Sequence, residues 1–463
     1  MTTADMTTVL PELAGPQGHP VLGSFTEYRH DLLGFLRRCA VDHGDLVPVR
    51  VVFHRGFLVS SPELANEVLV RRAHDYRKVF PLRYNRLFLG SGLLTSEGDQ
   101  WKADRRLVQP AFHADRIAGY GSIVVEEAAR TRDRWQAGQV VDMQQEMAEL
   151  TLRVVVRCLF DVDTALDFET ISWAVGVIQE RMRERYRAMI PLPDSAWTPQ
   201  NLRFRQALRV LDRIVYGFIA QRRNAAADRT DLLSMLMHAR REDGTRASDK
   251  QVRDQIMTMF FAGHETTALA LSWSLYLLSR HPEAADEVRA ELALVLGERT
   301  PTAADLPGLR LTGQVVMESM RLYPPVYAFG RDAVRDTRIG GHTIPARSSV
   351  IIAPWVMHHD ARLFAHPLEF RPDRWTEEFA RSLPKLAYCP FGGGARMCVG
   401  KNFAMMEAVL ALATLLRDCR VRPASNEPAE LWPTFTLRSR QGIPLTVAAS
   451  HDSPLCLAGA ASR

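Results

Sequence analysis

Ten residues near the C-terminus, Phe391 to Gly400, read FGGGARMCVG. They place three glycines and an arginine just ahead of a single cysteine, then run directly into the helical pattern KNFAMMEAVLALATLL. Glycine tolerates positive φ and lets a backbone approach another object closely, so Gly392 to Gly394 predict a tight, bulged loop. Cys398 falls at or just before the first turn of a helix beginning near Gly400. Backbone N–H groups and the helix dipole favour an anion there, so the expected species is a thiolate. Gly400 removes bulk beside the sulfur, and Arg396 is placed to bind an anion next to the loop. A thiolate in a loop with room for a flat object is what a haem iron ligand requires. Two other chemistries begin from similar residues. A glycine-rich turn before a helix can bind phosphate, but the Lys-Ser/Thr spacing of a P-loop is absent. A structural zinc needs several Cys or His at short spacing, and the neighbouring Cys389 has no paired partner.

A second constellation is AGHETT, Ala262 to Thr267, inside a long apolar segment. A carboxylate beside a hydroxyl is costly in such a helix unless it is used. Ala262 and Gly263 leave room for a ligand. Thr266 either bonds a carbonyl one turn back or offers its hydroxyl to a bound oxygen species, and Glu265 can relay protons inward. Taken alone, a threonine satisfied by its own helix beside a salt-bridged glutamate explains these residues better; beside Cys398 it does not. In ESMRLYPP, Glu318 and Arg321 lie one helical turn apart, and FRPDRW supplies Arg374. In WKADR, Trp101 and Arg105 share one helix face.

The cysteine stretch resembles the haem-binding signature of the cytochrome P450 family, Phe-x-x-Gly-x-Arg-x-Cys-x-Gly, at every fixed position: Phe391, Gly394, Arg396, Cys398 and Gly400. AGHETT is similar to that family's oxygen-activation motif, and Glu318, Arg321 and Arg374 to its structural triad. Asp373 and Trp375 stand where Glu and Phe are commoner. The resemblance runs from Trp101 to Gly400 in family order. It implies haem b (iron protoporphyrin IX) ligated by the Cys398 thiolate, with Phe391, Gly392, Gly400 and Ala262 against the ring. Trp101, Arg105, Arg331 and Arg396 would meet the propionates, since buried carboxylates need cations and donors. It implies a monooxygenase that inserts one atom of O2 into a C–H bond of a hydrophobic small molecule, with Glu265 and Thr266 guiding protons.

The elements that must hold these residues are legible in outline. The chain has 463 residues, 46% hydrophobic and 24% charged, with a formal net charge of +5. That charge is too small to argue for nucleic acid. Six cysteines are scattered with no secretion signal, which points to a reduced, cytoplasmic protein without a membrane span. Residues 1–24 read as an irregular segment, 25–450 as one large P450-type domain, and 451–463 as a tail. The fold class expected is mainly α with a small β portion (α+β), centred on a long helix from Ser248 or Asp249 to Pro282. Strand patterns flank His54-Arg55-Gly56, which reads as a hairpin turn, and Pro48 marks an edge strand.

No flavin or nicotinamide domain follows residue 450, so the expected electron source is a separate ferredoxin or flavodoxin with its reductase, acting on a monomer. Lys102, Arg106 and Lys401 could dock an acidic partner, though ordinary solvated charge explains them equally well. Candidate pocket walls are Phe80, Leu87, Phe88, Leu94, Phe260, Phe261, Val326, Ala328, Phe329 and Phe435. They are apolar, as a terpenoid, other secondary metabolite or fatty acid would require. The 79–94 stretch is also rich in arginine, which would suit a carboxylate. If so, Arg83→Ala and Arg86→Ala weaken binding of anionic substrates alone, and an equal loss for a neutral analogue would refute the idea.

Overall fold

The longest apolar run of the sequence becomes the longest helix, Asp249–Arg280. The computed structural model describes residues 12–79, 86–160, 168–187, 196–224, 231–239 and 244–449. The helix opens on a capping box: Gln251 N–H donates to Ser248 Oγ at 3.3 Å, and Gln251 Oε1 accepts from Ser248 N–H at 3.0 Å. His281 ends it, and Pro282 starts the following helix, because proline cannot continue the hydrogen-bond ladder. At about 1.5 Å per residue this central helix is about 48 Å long. It is buried without a break from Thr267 to Ser279. The hydroxyls in that stretch cost little, because Ser272 and Ser274 each donate to the carbonyl four residues back at 2.7 Å.

Residues divide into two compact units. The larger holds residues 81–326, 368–381 and 398–463. Around the central helix pack Met143–Phe160, Pro199–Asn224, Arg310–Leu322 and Lys401–Asp418. A three-stranded antiparallel sheet, ordered Val140–Asp142, Pro444–Ala449, Cys419–Pro423, and a hairpin of Leu431–Pro433 with Leu437–Ser439 complete it. No described helix is long and apolar enough to cross a membrane.

The smaller unit holds residues 1–80, 327–367 and 382–397. Its five-stranded sheet runs Leu46–Val51, His54–Val59, Ser349–Ile352, Phe329–Ala333, Tyr76–Lys78. Pro48 lies in the edge strand, where its missing N–H breaks no ladder. The hairpin turn differs from expectation. It falls at Val52-Phe53, with Val52 at φ 54°, and His54 already pairs with Val51. Gly56 sits inside the strand, where a Cβ would lie 3.3 Å from Ser349 O and 3.4 Å from Val49 Cγ2. Its small size serves close strand approach, and the register puts the strained backbone on a valine.

The fold is mainly α with a small β portion, as the sequence suggested. One buried group gives it a pH dependence. Glu407, on Lys401–Asp418, is 0% exposed. Burial pushes its carboxyl up to about 8, against a smaller opposing contribution from the Thr267 hydroxyl. The native state therefore keeps a proton that the unfolded chain releases near 4.5, so stability falls as pH rises between these values and levels off above. Glu407→Gln removes that linkage at constant shape. Its thermal stability should gain on the parent from about pH 5 to about pH 8 and hold a constant lead beyond. A pH-independent difference in melting temperature would mean the carboxyl is ionised in the core.

Candidate active site

The loop ahead of Cys398 is shaped by glycines that nothing else could replace cheaply. Gly392 and Gly394 take φ of 70° and 68°. A Cβ on Gly394 would sit 2.0 Å from Leu69 O, so both backbone conformation and space require glycine there. Gly392 N–H donates to Cys389 O at 3.0 Å, and Cys389 N–H donates to His358 Nε2 at 3.1 Å. Gly394–Arg396 form a 3-10 turn. Gly400 then stands at the N-cap of Lys401–Asp418, where a Cβ would lie 3.4 Å from the Phe112 ring and 4.0 Å from Cys398 Sγ.

Of the five described cysteines, Cys398 alone is exposed; Cys39, Cys158, Cys389 and Cys419 are buried. Burial pushes the Cys389 and Cys419 thiols up to about 12. Cys398 is accessible but deeply set. Burial raises its pKa too, opposed by the Gly400 N–H and by the Arg105 guanidinium. The helix-start N–H and the nearby cation both act in the direction of the anion. The protein lessens the cost of the anion, and a bound cation must supply the rest.

The central helix has one conspicuous opening. Ala262 is exposed, and Phe261, Gly263, Glu265 and Thr266 are partly so, in a helix otherwise largely buried. Thr266 Oγ1 donates to Ala262 O at 2.8 Å, and Thr267 Oγ1 to Gly263 O at 3.0 Å. Glu265 is clamped. Its Oε1 accepts from Thr436 Oγ1 at 2.9 Å and lies 3.5 Å from Arg438 Nη1, and its Oε2 accepts from Gln179 Nε2 at 3.2 Å. Gln179 Nε2 is also 3.4 Å from His264 Nε2, while His264 Nδ1 is 3.0 Å from Phe260 O. Burial lowers the His264 pKa, which suits a neutral ring. In this state the threonine is satisfied by its own helix and the glutamate by an ion pair, the arrangement that the motif alone would favour. Gln179, Thr436 and Arg438 were not legible as site residues. They come from distant segments and match no local pattern.

Glu318, Arg321 and Arg374 do meet. Arg321 donates to both Glu318 oxygens at 2.8 and 2.9 Å and to Glu369 O at 3.0 Å. Arg374 Nε and Arg371 N–H each reach Glu318 Oε1 at 3.0 Å. Trp375 Nε1 donates to Oε2 at 2.9 Å. The tryptophan that departs from the commoner phenylalanine therefore adds a hydrogen bond that phenylalanine could not make.

Trp101 and Arg105 share the helix Gly98–Val108, both partly buried. Arg331 and Arg396 lie in the smaller unit, where Arg331 covers the Phe329 ring at 5.7 Å. Among proposed pocket walls, Phe80 and the Leu87 side chain lie outside the described residues, as do Arg83 and the Arg86 side chain. Phe261, Leu94, Val326 and Phe435 are partly exposed. Phe88 and Phe260 are 1% and 5% exposed, so they act as core behind a wall rather than as its surface. Ala328 and Phe329 pack into clusters of the smaller unit.

The cytochrome P450 family model matches residues 13–443. The chain is 39% identical to cyclooctatin synthase of Streptomyces melanosporofaciens over 91% of its length and 92% of the relative's. It is 36% identical to cyclooctat-9-en-7-ol 5-monooxygenase of the same organism, covering 88% and 89%. It is 34% identical to pentalenene oxygenase of Streptomyces avermitilis, covering 88% and 90%.

The chain is a cytochrome P450. It is a haem-thiolate monooxygenase, which takes O2 and electrons from a redox partner. The residues present fit a haem: one accessible cysteine beside a donating N–H, an arginine facing that sulfur, and a small-residue opening in the central helix of the same unit. In this P450 the Glu318 carboxylate is fully buried with its cations, so removing its charge strands two guanidinium groups. Glu318→Gln should lower stability by about 3–5 kcal/mol and reduce haem retention on purification. Denaturant titration and the haem-to-protein absorbance ratio measure both. A loss below about 1 kcal/mol would mark the network as dispensable.

Proposed function

We propose that this P450 hydroxylates a terpenoid, a polycyclic hydrocarbon or its alcohol, with the iron ligated by Cys398. The observation that carries the ligand assignment is that Cys398 is the one exposed cysteine among those described, at the end of a loop whose glycines are fixed by positive φ and close approach. The substrate class rests on the relatives whose names denote cyclooctat-9-en-7-ol and pentalenene, and on the apolar residues flanking Ala262.

A haem held there supplies oxygen activation, aided by electron donation from the thiolate. The chain's own residues do the rest. Cys398 holds the ligand position, and Arg105 offsets negative charge near it. Trp101 and Arg105, on the helix Gly98–Val108, would offer donors to the propionates of a bound haem. Ala262 and Gly263 keep the distal face open. Thr266 donates its hydroxyl proton to Ala262 O at rest and would turn it to a distal acceptor; Glu265, released from Thr436, Gln179 and Arg438, would take a proton from solvent and pass it to the threonine oxygen. Electrons come from a separate ferredoxin or flavodoxin, met at a face bearing Lys102, Arg106 and Lys401.

The test is spectral and then catalytic. Reduced protein with carbon monoxide should give the far-shifted Soret peak of thiolate coordination, and Cys398→His should lose it. Polycyclic terpenoids should displace iron-bound water in a visible titration, whereas long-chain fatty acids should not. Thr266→Ala should keep the Soret peak and oxygen consumption but divert about 90% or more of the turnover to peroxide, a loss in the range of one proton-transfer group. An unchanged peak in Cys398→His would end the ligand assignment, and tight coupling in Thr266→Ala would end the proton route.

A further inference from the structure

Three consecutive polar residues near the start of the central helix are buried and unused by the chemistry above: Arg253, Asp254 and Gln255, at 6%, 2% and 1% exposure. A helix face that should be apolar carries a cation, an anion and an amide, so each must be satisfied or expensive. All three reach toward residues 88–96. Arg253 Nη1 donates to Phe88 O at 2.8 Å. Ser91 N–H donates to Asp254 Oδ2 at 2.9 Å, and Leu93 N–H to Gln255 Oε1 at 2.9 Å. Arg253 also bonds Asp212 at 2.7 Å, on Pro199–Asn224, and Lys250 pairs with Asp254 at 2.8 Å.

The strap is shaped to receive this lock. Gly90 takes φ 59°, and a Cβ there would fall 2.0 Å from the Asp254 carboxyl. A Cβ on Gly92 would sit 2.1 Å from Thr258 Oγ1 and 2.4 Å from Asp254 O, so the strap backbone rests directly on the helix. Thr95, fully buried, closes the turn by donating to Gly90 O at 2.7 Å. What the lock positions is apolar. Phe88 stands edge-on to Phe261 at 5.1 Å, and Leu93 and Leu94 pack on the same cluster. Phe261 is the residue before Ala262, where the helix opens.

We propose that Asp254 and Gln255 are positioning residues for substrate: with Arg253 they pin residues 88–96 as a fixed wall at the Phe261 end of the opening. The wall sets how far a bulky apolar ligand extends along the helix. This rests on the haem being held beside Ala262. A stretch rich in glycine and lacking long regular structure looks like a mobile loop in sequence. Three buried polar anchors make it a rigid gauge instead, which suits selection among rigid polycyclic molecules by size.

The test uses haem-loaded protein, with imidazole and 4-phenylimidazole as probes. Both bind haem iron through the same nitrogen and differ in one ring. Gly92→Ala pushes the strap off the helix, and Gln255→Met keeps size but removes the Leu93 acceptor. In both, the ratio of 4-phenylimidazole to imidazole Kd, read from the Soret shift, should move by about ten-fold while imidazole alone stays within about two-fold. Val288→Ala, a core change on Pro282–Leu296, should leave the ratio unmoved. In the parent protein the Ser91 and Leu93 amides should exchange at least about a hundred-fold slower than exposed loop amides, a measurement that needs no variant to fold. Rapid exchange of both amides overturns the pinned wall. Protected amides with an unmoved ratio, or an equal shift in Val288→Ala, overturn the specificity role. If imidazole itself gives no Soret shift in the parent, the haem reading fails and the proposal falls with it.

Discussion

A single carboxylate organises the region behind the cysteine helix. Glu318 is 0% exposed, as is Arg321, and an isolated ion in that position would cost several kcal/mol. It is tolerable because five N–H groups converge on two oxygens: two from Arg321, one from Arg374, one from the Trp375 indole and one from the Arg371 backbone. The backbone donor matters most for architecture. It ties the segment Glu369 to Trp375, whose one regular piece is the 3-10 turn Pro372–Arg374, to the helix Arg310–Leu322. Removing any donor leaves a buried carboxylate oxygen less well satisfied, so the segment has one low-energy placement rather than several. The chain that follows leads to the cysteine loop, whose own geometry tolerates little freedom.

The same logic recurs along the central helix. Its polar residues fall into three groups with different fates. Ser272 and Ser274 are absorbed by bonding backward, and Ser272 Oγ also reaches Met143 O at 3.2 Å. Arg253, Asp254 and Gln255 hold another segment in place. Glu265 and Thr266 interrupt the apolar surface where the helix is open, with His264 buried beside them. Glu265 differs from the second group in having partners that can release it: a hydroxyl, an amide and an arginine at 3.5 Å, beyond ideal hydrogen-bond range. A carboxylate held this way is stable at rest without being locked.

How much of this was readable in the sequence follows from how local each signal is. Caps and breakers act within four residues, so the central helix was placed from Ser248 to Pro282 before any coordinates. Glycines before Cys398 announced a constrained loop for the same reason. The Val52-Phe53 turn was missed because Gly56 looked like a turn former, while its role depends on Ser349, nearly 300 residues away. Gln179, Thr436 and Arg438 were invisible because nothing at those positions is unusual until the fold brings them to Glu265. The Trp375 substitution looked mild on hydrophobicity and proved specific on hydrogen bonding. Phe88 and Phe260 were read as pocket surface because aromatic residues near an opening look like walls. Burial puts both one layer back.

The state of the sulfur shows why a frame this rigid is needed. At Cys398 burial raises the thiol's pKa, while the Gly400 N–H at the helix start and Arg105 lower it. The two demands conflict by nature. A thiol shielded enough to keep water from the iron is shielded from the solvent that would stabilise its anion. The protein places one cation, Arg105, near the sulfur. It places the sulfur with little freedom, through left-handed glycines on one side and a capped helix on the other. Metal coordination then provides the missing stabilisation without the cost of ordering the loop at the moment of binding. On this view the glycine stretch does its work by geometry, and the charge that favours the anion comes from Arg105 and from a bound iron.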